Sequence, residues 1–329
     1  MPRWLERLIL FAGLTMIGVM IWHFEPSEVW RDISRIGWLG FALVIVFQFF
    51  DHILNALGWR WSFAPEDAKD IPLLTLVKAR VAGDGVNYLT LSASIAGELV
   101  RPGMLGPVKS AEVKNTSVVV AKFSQAFGQA LFIMLGIVFV VQGKLDFLSP
   151  AQRAAGLGAA GLTMLLVAAA IGVLTSQGAL ADALWKKAGG LASIRGPLRA
   201  TLSRHPGRFA VATVFFCLGY AWGTLEVLLI CHFMGLEIGP AAALAVEVLS
   251  NVVDSLAFMV PAKLGTQEGG KALIFHGLGY GAAQGLAFGL IRHTREFAWA
   301  SAGFLMYAWS RHRGELKAAE LRRETTASK

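Results

Sequence analysis

Two cysteines among 329 residues are too few for a disulfide framework, and both, Cys217 and Cys231, fall inside one apolar run where they read as small core residues. The seven histidines include no pair at a metal-ligand spacing such as His-x-x-x-His, so no metal is expected. Charge is scarce too. Asp, Glu, Lys and Arg make up 16% of the chain, against about 25% in soluble domains. Apolar side chains fill the deficit, at 55% hydrophobic residues and a mean hydropathy of +0.56. A soluble globular protein is thereby excluded, and most of the chain sits in lipid. No Gly-x-Ser-x-Gly elbow or P-loop occurs, which removes support for hydrolase and ATPase readings. Gly156 to Gly161 has the spacing of a dinucleotide fingerprint, but it opens an apolar 20-mer with no preceding strand and no acidic partner, and so reads as a helix-packing face. Gly277, Gly281 and Gly285 repeat every four residues to the same effect, and no cofactor is expected.

Large loops are lacking as well. The longest, 176–208, has 33 residues, and 19 follow Ser310, so a soluble catalytic domain is not expected and any function lies within the membrane. Crossing a hydrocarbon core of ~30 Å takes about 20 apolar residues. Six runs qualify or nearly so: 8–22, 39–57, 118–141, 154–174, 209–234 and the short 297–309. Two more stretches, near 72–100 and 240–291, are apolar but interrupted. The first run follows Arg3 and Arg7 as a signal peptide would, yet no small-x-small cleavage pattern follows, and it is expected to remain as a span. The N-terminus, the 58–80, 99–114 and 176–208 loops and the tail from Arg311 carry 21 of the 30 Lys and Arg, which places both termini in the cytoplasm. The net charge of +8 is then a by-product of topology, and nucleic acid is not an expected partner. Residues 311–329 read as a basic cytoplasmic tail, a helical stub with a disordered end.

Ionisable groups inside a membrane cost about 2.5–3.5 kcal/mol each, so each needs a partner or a function. Here they are patterned. Asp84, Glu98 and Arg101 in the first interrupted stretch recur as Asp254, Glu268 and Lys271 in the second, every member displaced by 170. The same offset carries the span at 39–57 onto 209–227 and that at 118–141 onto 288–311. By the charge count the two copies run in opposite directions, as in the inverted repeats of many transporters. Gly83, Gly85 and Gly97 in the first stretch, and Pro261, Gly265, Gly269 and Gly270 in the second, predict broken or re-entrant helices, whose ends offer backbone donors to an anionic headgroup.

Polar residues recur in the spans: Gln48, Asp51, His52 and Asn55, then Lys122, Gln125 and Gln129, then Glu226. The glutamines and His52 read as interhelical glue. For the six repeated charges two roles stay open. Glu98 with Arg101 and Glu268 with Lys271 stand at i and i+3 and neutralise one another, or they part around a zwitterionic or anionic headgroup.

The runs Gly85-Val86-Asn87-Tyr88-Leu89-Thr90 and Gly97-Glu98-Leu99-Val100-Arg101, and Val260-Pro261 through Leu264-Gly265-Thr266-Gln267-Glu268-Gly269 with Arg292, Arg295 and Glu296 downstream, carry a resemblance. Over nearly its whole length the chain resembles the flippase-like integral membrane family typified by the transmembrane half of bacterial lysylphosphatidylglycerol synthases, with the 261–271 run looking closer to a hopanoid-biosynthesis-associated branch. The resemblance implies lipid translocation between leaflets of the bacterial inner membrane and marks Asn87, Glu98, Arg101, Pro261, Gly265, Glu268, Arg295 and Glu296 as family-like positions. Leu91 stands where the family commonly has proline, and Ala262-Lys263 where it has small residues. The aminoacyl-transferring domain of the bifunctional synthases is not found in these 329 residues, so synthesis of an aminoacylated lipid is not expected.

The expectation is therefore an all-α polytopic membrane protein of about six full spans plus two broken or re-entrant units in an inverted repeat, eight spans if these cross. Residues 1–310 form the membrane domain, with repeat units about 38–141 and 208–310. The substrate path is Asp84, Asn87, Glu98, Arg101, Asp254, Glu268 and Lys271, supported by Asp51, Gln125, Glu226, Pro261, Gly265, Arg295 and Glu296. A membrane lipid is the expected substrate and lipid-biosynthesis enzymes are candidate partners; no enzymatic activity is expected. The alternatives are an integral membrane enzyme of lipid or polyprenyl metabolism, with Asp84 or Glu98 as general base, or a scaffold for lipid-biosynthesis enzymes.

Overall fold

A computed structural model describes residues 3–89, 96–142, 149–175, 182, 192–256, 260 and 263–327. Among these residues the chain is helical throughout, without a strand. The helices are α1 (Arg3–His23), α2 (Pro26–Arg35), α3 (Gly37–Trp61), α4 (Pro65–Ala68), α5 (Leu73–Leu89), α6 (Ala96–Met104), α7 (Ala111–Gln142), α8 (Pro150–Thr175), α9 (Ala192–Arg204), α10 (Pro206–Phe233), α11 (Pro240–Leu256), α12 (Thr266–Gly277) and α13 (Ala282–Ala327). Three of them, α3, α7 and α10, are long and apolar enough to cross a membrane, and shorter apolar segments run over Phe11–His23 and Arg153–Ala169.

The described residues of the first interrupted stretch form α5 and α6, on either side of 90–95, and those of the second form α11 and α12, on either side of 257–265. Residues 90–95, and 257–259 with Pro261 and Ala262, lie outside the described residues, as does Leu91. As described, the four helices have 17, 9, 17 and 12 residues. Helices α3, α5, α6 and α7 begin within a few residues of the 170-residue offset from α10, α11, α12 and α13.

The chain departs from expectation at its C-terminal end. Residues 282–291 are not the end of a broken stretch; they join the final run in one 46-residue helix that continues to Ala327, where the tail was expected to end in disorder. Arg292, Arg295 and Glu296 interrupt the hydropathy without interrupting the helix, because each finds an oppositely charged partner within the protein. At about 1.5 Å per residue α13 is roughly 69 Å long, far more than a bilayer core. Helix α2 is a further addition, too polar to be read as a span. It turns Val29 and Asp32 inward and Trp30 outward. Trp22 at the end of α1 and Trp38 at the start of α3 are exposed as well, as tryptophans at a membrane interface are.

Packing interlocks the two halves. Helix α3 lies along α10, α5 along α13, and α7 along both α10 and α11, so each half is completed by helices of the other. Val44, Val246, Phe275 and Leu286 anchor one core cluster, and Trp59, Leu76 and Phe216 another. Helix α8 joins at the edge through α7 and α9 and turns Leu162, Leu165 and Leu166 outward, as a lipid-facing helix does. The α5–α13 crossing depends on glycine: a Cβ on Gly85 would stand 2.5 Å from the Ala300 carbonyl oxygen and 2.6 Å from the Phe304 nitrogen, whereas one on Gly158 of α8 would meet nothing within 4 Å.

Gly85→Ala should therefore destabilise the protein by about 1–3 kcal/mol through overpacking. Gly158→Ala should be neutral or stabilise it by roughly 0.5–1 kcal/mol through helix propensity. Thermal unfolding of the purified protein in detergent distinguishes them, and equal shifts for the two variants would contradict this crossing.

Candidate functional site

Both breaks are followed by a short helix with an acid in its first turn, Glu98 in α6 and Glu268 in α12. The first amides of a helix lack intrahelical partners and carry partial positive charge, so a carboxylate is favoured there. Glu268 uses the position directly: its Oε2 accepts the Gly265 N–H at 2.8 Å, the reach-back half of a capping box. Gly265 itself stands at φ +79°, where a side chain would be strained. In the first copy Asn87 supplies the link, its Oδ1 accepting the Gly97 N–H at 2.6 Å while its Nδ2 donates to Glu98 at 3.4 Å.

Each acid then meets a base on the next long helix. Lys122 of α7 lies 2.7 Å from Glu98, and His293 of α13 lies 2.6 Å from Glu268. Beyond this the copies diverge. Arg101 bridges Glu98 and Asp84 at 2.5 Å each, and Asp84 also faces Arg80 at 3.7 Å and His52 at 3.9 Å. Lys271, only 2% exposed, makes no ion pair within 4 Å among the described residues. Neighbour neutralisation at i and i+3 thus holds for Glu98 with Arg101, while Glu268 turns to its own helix cap and to His293.

A second buried network ties α10, α11 and α13 together. Arg292 donates to Glu247 at 2.8 Å and to Glu226 at 2.9 Å, and Arg295 donates to Glu226 and, at 3.2 Å, to Glu296. Gln267 extends it, donating to Glu296 at 3.2 Å and Asp254 at 3.4 Å. Lys263, one of the departures from the family pattern, pairs with Asp254 at 3.3 Å.

Between α3, α5, α7, α10, α11 and α13 lies a cavity of about 540 Å³, within the range of about 300–1,000 Å³ typical of small-ligand sites. A smaller one of about 190 Å³ adjoins it and shares Gln48, Asp51, Arg295 and Glu296. Of the residues singled out by sequence, Asp51, Gln125, Glu226, Asp254, Arg295 and Glu296 line the larger cavity, and Asp84 lines the smaller. Asn87, Glu98, Arg101, Glu268 and Lys271 line neither, and Gly265 serves the α12 cap. Pro261 lies outside the described residues.

Two charged lining residues escaped sequence reasoning. Glu247 shares the apolar stretch 240–256 with Asp254 but, unlike it, has no charged counterpart 170 residues earlier, where Val77 stands. Arg80 was counted as a loop charge, as was Arg101, yet both side chains are buried in helices.

A family model described as the lysylphosphatidylglycerol synthase TM region matches residues 7–302. No curated protein and no solved structure matches the chain.

Removing one partner of a buried charge pair strands the other, at a typical cost of about 3–5 kcal/mol. Glu226→Gln, which takes the shared acceptor from Arg292 and Arg295, should carry a loss of that order. Asp51 has no ion pair within 4 Å among the described residues and is held by Gln48 and Asn55 at 2.9 and 2.8 Å, so Asp51→Asn should cost about 1 kcal/mol or less. Unfolding midpoints in detergent would reveal the contrast, and a Glu226→Gln protein as stable as the parent would refute the network.

Proposed function

The chain belongs to the lysylphosphatidylglycerol synthase transmembrane-region family, a membrane protein of lipid metabolism or transport, and from that premise we propose that it moves a lipid between leaflets as a flippase or facilitator. The observation that carries the reading is the polar cavity walled by helices of both halves and flanked by apolar spans. A headgroup entering it exchanges water for fixed charges and amides, while the acyl chains remain among outward-facing apolar side chains. The repeat units, about 38–141 and 208–310, rock against each other around this site. Helix α12, with only 12 residues after the turn at Gly265, supports broken units that return to their starting side. Such units, with the distribution of Lys and Arg, favour a bacterial inner-membrane protein with both termini and the tail at 311–329 in the cytoplasm.

In this reading Asp51, Asp84 and Asp254 meet the headgroup, while Glu98, Arg101, Glu268 and Lys271 form the layer behind that sets the positions of the two short helices. The interlocked contacts of α5 with α13 and of α7 with α11 give that layer a route to couple one half to the other.

Purified protein in liposomes carrying fluorescent lipids of several headgroup classes, with dithionite quenching of the outer leaflet, tests the proposal. Protein-dependent exchange of at least one class is expected. Asp84→Asn and Asp254→Asn should slow it by about tenfold or more, equivalent to roughly 1.4 kcal/mol in the barrier. A folded protein that moves no lipid faster than empty liposomes would defeat it and turn attention to a membrane-embedded reaction or a scaffold.

A further inference from the structure

Five basic and five acidic side chains line the larger cavity, which makes it formally neutral. Four of the bases are occupied: Lys122 by Glu98, Lys263 by Asp254, Arg292 by Glu226 and Glu247, and Arg295 by Glu226 and Glu296. Arg80 differs in that its one ion pair is long. Its residue is only 5% exposed, and its guanidinium lies 5.6 Å from the centre of the Phe216 ring. The nearest carboxylate, Asp84 at 3.7 Å, is already held by Arg101 at 2.5 Å. Among the described residues the Arg80 fork makes no hydrogen bond, and the side chain borders the cavity.

The acids show a matching exception. Glu226, Glu247, Asp254 and Glu296 are all in ion pairs, whereas Asp51 borders the same cavity with only the Gln48 and Asn55 amides upon it. Among the described residues the site thus offers one desolvated planar cation without a hydrogen-bonded counter-ion and one carboxylate without a cation within 4 Å.

We infer that Arg80 is the anion-accepting end of the cavity and that its ligand is a singly charged phosphodiester, with Asp51 discriminating against a second negative charge. A buried guanidinium gains most from an acceptor that takes two parallel hydrogen bonds, and the two non-bridging oxygens of a phosphodiester supply that geometry. Lys122, with its side chain 42% exposed, adds a second donor on the same cavity wall. A phosphomonoester carries about −1.5 to −2 charges near neutrality. Its excess charge would find Asp51 instead of a free base, and like charge in a low-dielectric site is strongly unfavourable. The phosphodiester belongs either to a lipid headgroup or to a free soluble ester. The lipid source rests on the translocation reading above; the subsite at Arg80 does not.

Calorimetric titration of the purified full chain tests the inference with four probes: glycerophosphoglycerol, glycerol 3-phosphate, inorganic phosphate and dihexanoyl phosphatidylglycerol below its micelle concentration. Glycerophosphoglycerol should bind about tenfold or more tightly than glycerol 3-phosphate or inorganic phosphate. Arg80→Gln should weaken it by about tenfold or more, with Arg80→Lys in between because it keeps the charge and loses the fork. Asp51→Asn should bring glycerol 3-phosphate to within about threefold of the diester. Tighter binding of the dihexanoyl lipid than of the soluble diester supports the subsite with a lipid ligand; equal binding supports it with a soluble ester.

Unchanged binding in folded Arg80→Gln, or a preference for either monoester or inorganic phosphate, would overturn it. If Arg80→Gln does not fold, Arg80→Lys and Asp51→Asn carry the same decision. Binding that follows these rules in a protein that moves no lipid would discard the translocation reading and leave the subsite standing. Lipid exchange that is indifferent to Arg80 would do the reverse.

Discussion

A charge at membrane depth must find an opposite charge or a hydrogen-bonding partner within a few ångströms, because lipid supplies neither water nor counter-ion. That constraint organises this protein. Arg292 and Arg295 on α13 reach Glu247 on α11 and Glu226 on α10, and Arg101 on α6 reaches Asp84 on α5. Each of these contacts fixes one helix against another, so the same side chains that would be intolerable singly determine how the bundle closes. Helix α13 is the clearest consequence: its charged turn remains helical and buried because the partners come from two other helices.

The two halves answer the same constraint with different residues. In both, a short helix begins with a glutamate and that glutamate meets a base on the following long helix, Lys122 in one case and His293 in the other. The local reason is shared, since a helix N-terminus favours a carboxylate wherever it occurs. The surroundings are not shared: the first half closes its charges on itself through Arg101, while the second passes them through Gln267 and Asp254 toward the cavity. A cavity with such unequal walls suits a ligand with distinct ends, and the Arg80 fork, which makes no hydrogen bond among the described residues, lies on one of them.

Much of this was legible beforehand where the signal is local. Gly265 does stand in a turn, at φ +79°, ahead of α12, whereas Gly83 and Gly85, expected to break their stretch, lie inside α5, and the spacing of Asp84, Glu98 and Arg101 points to the helices around the site. What was hidden is instructive. Arg80 looked like a loop charge because a positively charged residue at the end of a polar segment normally faces water, and only the packing of α5 against α3 and α13 brings it inside. Residues ranked as supporting, among them Asp51, Glu226 and Arg295, border the cavity, while Glu98 and Lys271 stand behind it. Periodicity says which residues share a helix face and is silent on which helix that face meets.

Composition, the length of apolar runs and the spacing of breakers and charges are properties of neighbouring residues. From them alone follows a helical membrane chain. The pairing of charges and the position of the cavity depend on residues brought together across long separations: the partners of Arg292 lie 45 and 66 positions away. Tertiary structure decided these because an ion pair between helices is set by the crossing of their backbones, which close contacts such as Gly85 against Ala300 permit, and no local pattern in the chain encodes where two helices will cross.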